Sequence, residues 1–179
     1  MASSLIKVNQ TDITSTVSTA IIDGIDSTYD VYLVVAKNIH ITVDTAYLQW
    51  RVVADVAGVP TVRAVAEYDY GNALLRTWGS HSQYGNTGQT RKYWASAQPL
   101  GNSTGEKQSA MLWLYNFANA SEYSYVSVEE LIYSSTYSSI AGDQGGFVYT
   151  VAEALTGIAV VGDATSMDAG TLVLYGLQN

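Results

Sequence analysis

Apolar and polar side chains alternate with a period of two along much of this chain, in short runs separated by glycine, asparagine, aspartate and proline. Successive side chains of a strand point to opposite faces, so this rhythm predicts half-buried β-strands and little helix. Within residues 47–54, Leu48, Trp50, Val52 and Ala54 share one face while Gln49 and Arg51 take the other. Residues 110–117 are apolar on both faces, with Leu112 and Leu114 opposing Met111, Trp113, Tyr115 and Phe117. That pattern is expected of a strand covered on both sides. Residues 123–134 set Val126, Val128 and Ile132 against Tyr123, Tyr125, Leu131 and Tyr133. Glu129-Glu130-Leu131 favours helix locally, but the surrounding Tyr, Val and Ser favour strand. Residues 170–177 alternate Leu172 and Leu174 with Val173 and Tyr175.

Further strands are expected at residues 4–8, 16–22, 29–36, 61–67, 147–151 and 157–161. Turn chemistry stands at Asp23-Gly24 and at residues 57–60, 101–103, 143–146 and 163–170. One or two helical turns are expected near residues 71–76 and 151–155. About ten short strands with such punctuation predict an all-β fold, an antiparallel two-sheet β-sandwich wound as a jelly roll.

The 179 residues fit one domain, long enough to bury an independent core. The absence of cysteine excludes disulfides and thiolate metal sites. Charged residues are only 13% against 47% hydrophobic, which excludes intrinsic disorder. A net charge of −8, with basic residues scattered from Lys7 to Lys107, argues against a nucleic-acid partner. No basic segment followed by an apolar stretch opens the sequence, so synthesis in a cytoplasm without a Sec signal is expected. The longest apolar run, residues 31–36, is too short to span a bilayer, and no membrane partner is expected.

No constellation for turnover stands out, and the expectation is that the chain is not an enzyme. His40 alternates with Ile39 and Ile41 and is expected to face solvent, while His81 follows Gly79-Ser80 in a polar stretch. No Gly-x-Ser-x-Gly turn is present to present a nucleophile. Glu129 and Glu130 are adjacent on a strand and face opposite sides, so they do not form an acid–base pair. Asp23, Asp26 and Asp30 lie in one turn but lack calcium-loop spacing, and no phosphate-cradling loop is found. No metal and no cofactor are therefore expected.

Residues 78–108 are the most loop-like, yet they hold Trp78, Tyr84, Tyr93 and Trp94. Three readings stand side by side: rings that plug the end of the sandwich, anchors of a protein interface, or a platform for sugars. At the N-terminus Leu5, Ile6 and Val8 form an apolar segment that could pair with a strand edge of a partner.

Several strings together carry a resemblance: residues 1–7 (MASSLIK), 27–32 (STYDVY), 145–152 (GGFVYTVA) and 170–177 (GTLVLYGL). The chain resembles small virion proteins of marine and freshwater tailed phages, cyanophages among them. The resemblance implies a β-sandwich, a homotrimer, and attachment to the particle. The implied role is a capsid decoration or cement protein on the outer capsid surface, bound to the major capsid protein, with residues 1–12 as an extended contacting arm. A tail or fibre adhesin that binds host glycan is the alternative. No catalytic residues come with the resemblance.

Overall fold

The computed structural model describes residues 4–178. Their strands are β1 (Ser4–Ile13), β2 (Thr19–Asp23), β3 (Val31–Ile41), β4 (Tyr47–Val56), β5 (Val59–Val62), β6 (Tyr68–Arg76) and β7 (Ser82–Gln89). Then follow β8 (Lys92–Tyr93), a 3-10 turn at Trp94–Ala97, β9 (Gln108–Tyr115), β10 (Ser124–Ser134), β11 (Ser139–Tyr149), β12 (Gly157–Asp163) and β13 (Met167–Gln178). They form two antiparallel sheets packed as a sandwich. The large sheet runs β1-β13-β3-β9-β10-β11-β6-β7, and the small one β2-β12-β4-β5 with β8 paired to β4.

Alternation decides which side chains fill the space between the sheets. Leu48, Trp50, Val52 and Ala54 of β4 are all buried, as their shared parity predicts. They meet Tyr32, Val34 and Ala36 of β3, Leu112 and Leu114 of β9, and Val126, Val128 and Ile132 of β10 in one core. Tyr68 and Tyr149 close one end of it, and the Tyr68 hydroxyl accepts from Val52 N and donates to Arg63 O. Burial holds that phenol well above its ordinary range. The β4–β5 hairpin turns on Ala57-Gly58, both at positive φ, the left-handed pair that a two-residue hairpin loop requires.

Three expectations about local structure give way. Residues 71–76 are not helical but belong to β6, because Tyr68, Asn72 and Leu74 alternate inward while the backbone pairs on both sides. Residues 151–155 form an irregular link rather than a helix, tied down by Leu155 N donating to Phe117 O and by Glu153 paired with Arg63. Residues 143–146 are not a turn but the middle of β11. A Cβ at Gly146 would stand 2.4 Å from Val126 O, so here glycine answers the close approach of a neighbouring strand.

Candidate functional site

Two features of the sandwich are chemically unusual, one on its surface and one in its interior. The first is the outward face of the large sheet. On β9 the inward residues Ala110, Leu112 and Leu114 are buried, but the outward Met111 and Tyr115 are exposed. The strand expected to be covered on both sides is thus covered on one side only by its own chain. On β10, Tyr125 and Leu131 are exposed, and Leu75 of β6 and Ile140 of β11 join them. Met111, Leu131 and Leu75 line an apolar furrow with Val35, and Lys37 and Glu129 stand at it without an ion-pair partner among the described residues.

Beside this furrow the sheet surface drops. In one cross-strand row Leu33, Trp113, Ser127, Gly146, Gly71 and Gly85 lie in register, so side chains dwindle and then vanish. The next row places Tyr115, Tyr125, Val148 and Asp69 along the trough. A Cβ on Gly71 would meet nothing within 4 Å, and its φ is not left-handed, so the fold does not demand glycine there.

The second feature is a charge cluster sealed between the sheets. Glu130 and Asp143 are direct cross-strand partners on β10 and β11, both pointing inward. Lys92, on β8 of the small sheet, reaches across, and its Nζ donates to Glu130 Oε2 at 2.6 Å and to Asp143 Oδ2 at 3.0 Å. All three side chains have no exposed surface. Glu130 also accepts from Trp50 Nε1 at 2.6 Å and from Ala95 N at 2.7 Å. The Ser96 hydroxyl lies 3.0 and 3.2 Å from the two Asp143 oxygens. Burial pushes the Glu130 carboxyl up, the Lys92 ammonium opposes that, and Asp143 adds to it. Ala95, Ser96 and Ala97 all hold positive φ, a backbone conformation unfavourable for residues with side chains. The Trp94 ring stacks on that of Trp50, the donor to Glu130, at 4.8 Å.

The sequence-predicted binding residues do not gather in one place. Trp94 is 1% exposed and is a core residue. Trp78 is part-buried and stacks on Tyr137 at 4.5 Å. Tyr93 packs edge-on against Tyr47, and its hydroxyl donates to Asp163 Oδ2. Tyr84 is exposed on β7, an edge strand. Residues 78–108, expected as one loop, contain β7, β8 and the 3-10 turn. Leu5, Ile6 and Val8 are exposed on β1, which pairs with β13 and has no second strand partner among the described residues, although the Asn9 and Thr11 side chains donate to Asp23 O and Ile21 O of β2. The expected arm is therefore ordered in the sheet from Ser4 onward, while residues 1–3 lie outside the described part.

His40 does not simply face solvent. Its Nδ1 lies 2.6 Å from Asp168 Oδ1 and its Nε2 lies 2.8 Å from Asn102 O, so both ring nitrogens have acceptors. The Asp168 carboxylate raises its pKa above the usual histidine value, partial burial opposes this, and the Asn102 carbonyl assists the rise. Asp26 is engaged by Thr28 N and the Tyr32 hydroxyl, the usual use of an aspartate in a turn. Among the described residues no group of three or more His, Cys, Asp or Glu is placed to hold a metal ion, and no helix is long and apolar enough to cross a membrane. No local sequence feature marks Lys92 as buried, and Asp143 reads locally as a turn residue, whereas parity with Val128 and Ile132 marks Glu130 as inward-facing. The chain matches no protein-family model, no curated protein and no solved structure.

Proposed function

We propose that this chain is a structural protein of a tailed-phage particle, a capsid decoration or cement protein that works through its surfaces, without turnover chemistry. The observation that carries the reading is the apolar outward face of the large sheet. Met111, Tyr115, Tyr125, Leu131, Leu75 and Ile140 form an exposed patch that a lone soluble chain rarely keeps. Four strands at about 4.8 Å spacing and some eight residues of about 3.3 Å give roughly 500 Å², somewhat more than half the ~800 Å² that each partner contributes to a stable interface. Further copies of the chain, as a homotrimer, are the proposed cover for this face. The open edge of β1, with Leu5, Ile6 and Val8 exposed, is the proposed contact with the major capsid protein by strand addition. The net charge of −8 favours an outer position over one against packaged DNA.

The strand order supports the jelly-roll reading. β1, β2, β3 and β4 alternate between the sheets, and β13 and β12 insert between the members of each pair. Proteomic quantitation of purified particles tests the proposal: the chain should be present in fixed ratio to the major capsid protein. A chain found only in lysate would refute it.

The glycine-floored trough favours a second reading, an adhesin that binds host glycan. Tyr115 and Tyr125 beside a floor without side chains offer stacking surfaces for a flat sugar ring. A glycan array distinguishes the two: binding abolished by Tyr125→Ala would support the adhesin, and a blank array would leave the decoration reading alone.

A further inference from the structure

We propose that Lys92 and Asp143 join in a self-formed isopeptide bond between the two sheets, with Glu130 carrying the proton. The inference rests on the interior cluster alone and stands whether or not the chain belongs to a phage particle.

Three charged side chains with no exposed surface are an expensive way to fill a core. One lysine against two carboxylates is not even a balanced set, since full ionisation leaves a net negative charge away from water. A neutral cluster needs one added proton, and burial, which raises the Glu130 carboxyl, favours taking it up. Attack needs a neutral amine, and a proton passed from the Lys92 ammonium to a carboxylate oxygen 2.6 or 3.0 Å away would produce it within the cluster, beside carboxylic acids. An amine is a nucleophile, and a neutral carboxylic acid is a far better electrophile than a carboxylate.

The geometry assigns the roles. Nζ of Lys92 lies 3.0 Å from Asp143 Oδ2, a hydrogen bond that holds the amine against the carboxyl whose Cγ it would attack, and groups held together in this way within one molecule reach effective molarities of about 10⁵ M or more. Glu130 is held by Trp50 Nε1 on Oε1 and by Ala95 N on Oε2, the same oxygen that accepts from Lys92. Its two oxygens are fixed in place to relay a proton. Asp143 has only the Ser96 hydroxyl besides the lysine, and that hydroxyl is positioned to donate to the oxygen that becomes negative on attack. The left-handed conformations of Ala95 and Ser96 aim both donors at the two carboxyls, a strain spent on positioning.

The step balances without a co-reactant. The Lys92 amine nitrogen bonds to Asp143 Cγ, the Glu130 carboxylic acid gives its proton to the departing hydroxyl and takes one from nitrogen, the Cγ–OH bond breaks, and water leaves. Amine plus carboxylic acid become secondary amide plus water, nothing is oxidised or reduced, and Glu130 ends with the proton count it had at the moment of attack. The amide replaces two buried ionisable groups by one neutral group. It ties β8 of the small sheet to β11 of the large one, so the sheets cannot part without breaking a covalent bond.

Intact-mass measurement of the purified full chain tests this directly. The expected mass is one water below that of the sequence, and a branched peptide should contain Lys92 joined to Asp143 in tandem spectra. Trypsin alone is unsuitable because no Lys or Arg follows Lys107, so a second protease must cut within residues 108–179. Glu130→Gln should restore the full mass, and thermal melting should confirm that this variant folds; Lys92→Met should do the same from the nucleophile's side. A wild-type chain that keeps the full sequence mass after prolonged incubation, with its Lys92 peptide recovered unbranched, overturns the proposal. So does a lost water that maps elsewhere, such as a succinimide at Asp23-Gly24 or a link to Glu130.

Discussion

The indole N–H of Trp50, on the small sheet, donates at 2.6 Å to the carboxylate of Glu130, on the large one, with both side chains sealed from water. A hydrogen bond to a charged or polar group in such a place is worth more than its surface counterpart, because its loss leaves a buried acceptor short of a donor. Trp50→Phe keeps most of the ring and removes only the donor. The variant should be destabilised by about 1–3 kcal/mol, read as a lower denaturation midpoint in urea at unchanged slope. An unchanged midpoint would mean that Glu130 is fully satisfied by Lys92 and Ala95.

His40 makes stability depend on pH in a defined direction. Its folded pKa is raised, chiefly by the Asp168 carboxylate, so its contribution is whole below the unfolded value of about 6.5. The contribution is lost as pH rises through the folded value. Melting temperature should therefore fall from about pH 6.5 upward, and Asp168→Asn should flatten that fall. Equal slopes in the wild type and the variant would count against the pair.

The outward face predicts a split between folding and assembly. Leu131 is 57% exposed in the single chain, so Leu131→Asp should change monomer stability by no more than about 0.5 kcal/mol. Light scattering should nevertheless show the wild type as a trimer and the variant as a monomer at micromolar concentration. A wild type that is already monomeric would remove the oligomer from the account.

Removal of residues 1–8 should separate attachment from fold. Residues 9–13 of β1 retain their register against Leu174 to Gly170 of β13, so the sandwich should stay folded. Binding to particles that lack the protein should be lost, as seen by cosedimentation. Undiminished binding would move the capsid contact away from the edge of β1.

Parity was the most legible property of the sequence. Leu48, Trp50, Val52 and Ala54, and Val126, Val128 and Ile132, face the core as period-two alternation requires, because each strand has one side against the opposite sheet. The same parity places Glu130 inward, but a sequence shows neither the lysine that reaches it nor the strand that brings Asp143 opposite. Glu130 and Asp143 follow Lys92 by 38 and 51 residues, and the three meet only after the sheets pack. Local composition misled at Asp143-Gln144-Gly145-Gly146, where turn residues occupy a central strand, and at residues 71–76, where a glycine and an asparagine interrupt an otherwise clear β pattern. The aromatic cluster of residues 78–108 dissolved for a related reason. Trp94 is drawn into the core by Trp50, while Tyr84 is left on an edge strand.

As proposed, this sandwich is a particle component that acts through its surfaces. Cryo-electron microscopy of intact phage decides whether it is. Density for the chain is expected on the outer capsid lattice, at capsomer junctions or three-fold axes, with the outward face of the large sheet covered by neighbouring copies and β1 against a capsid subunit. Density confined to the tail would contradict the decoration role in favour of the adhesin, and particles without the chain would contradict both.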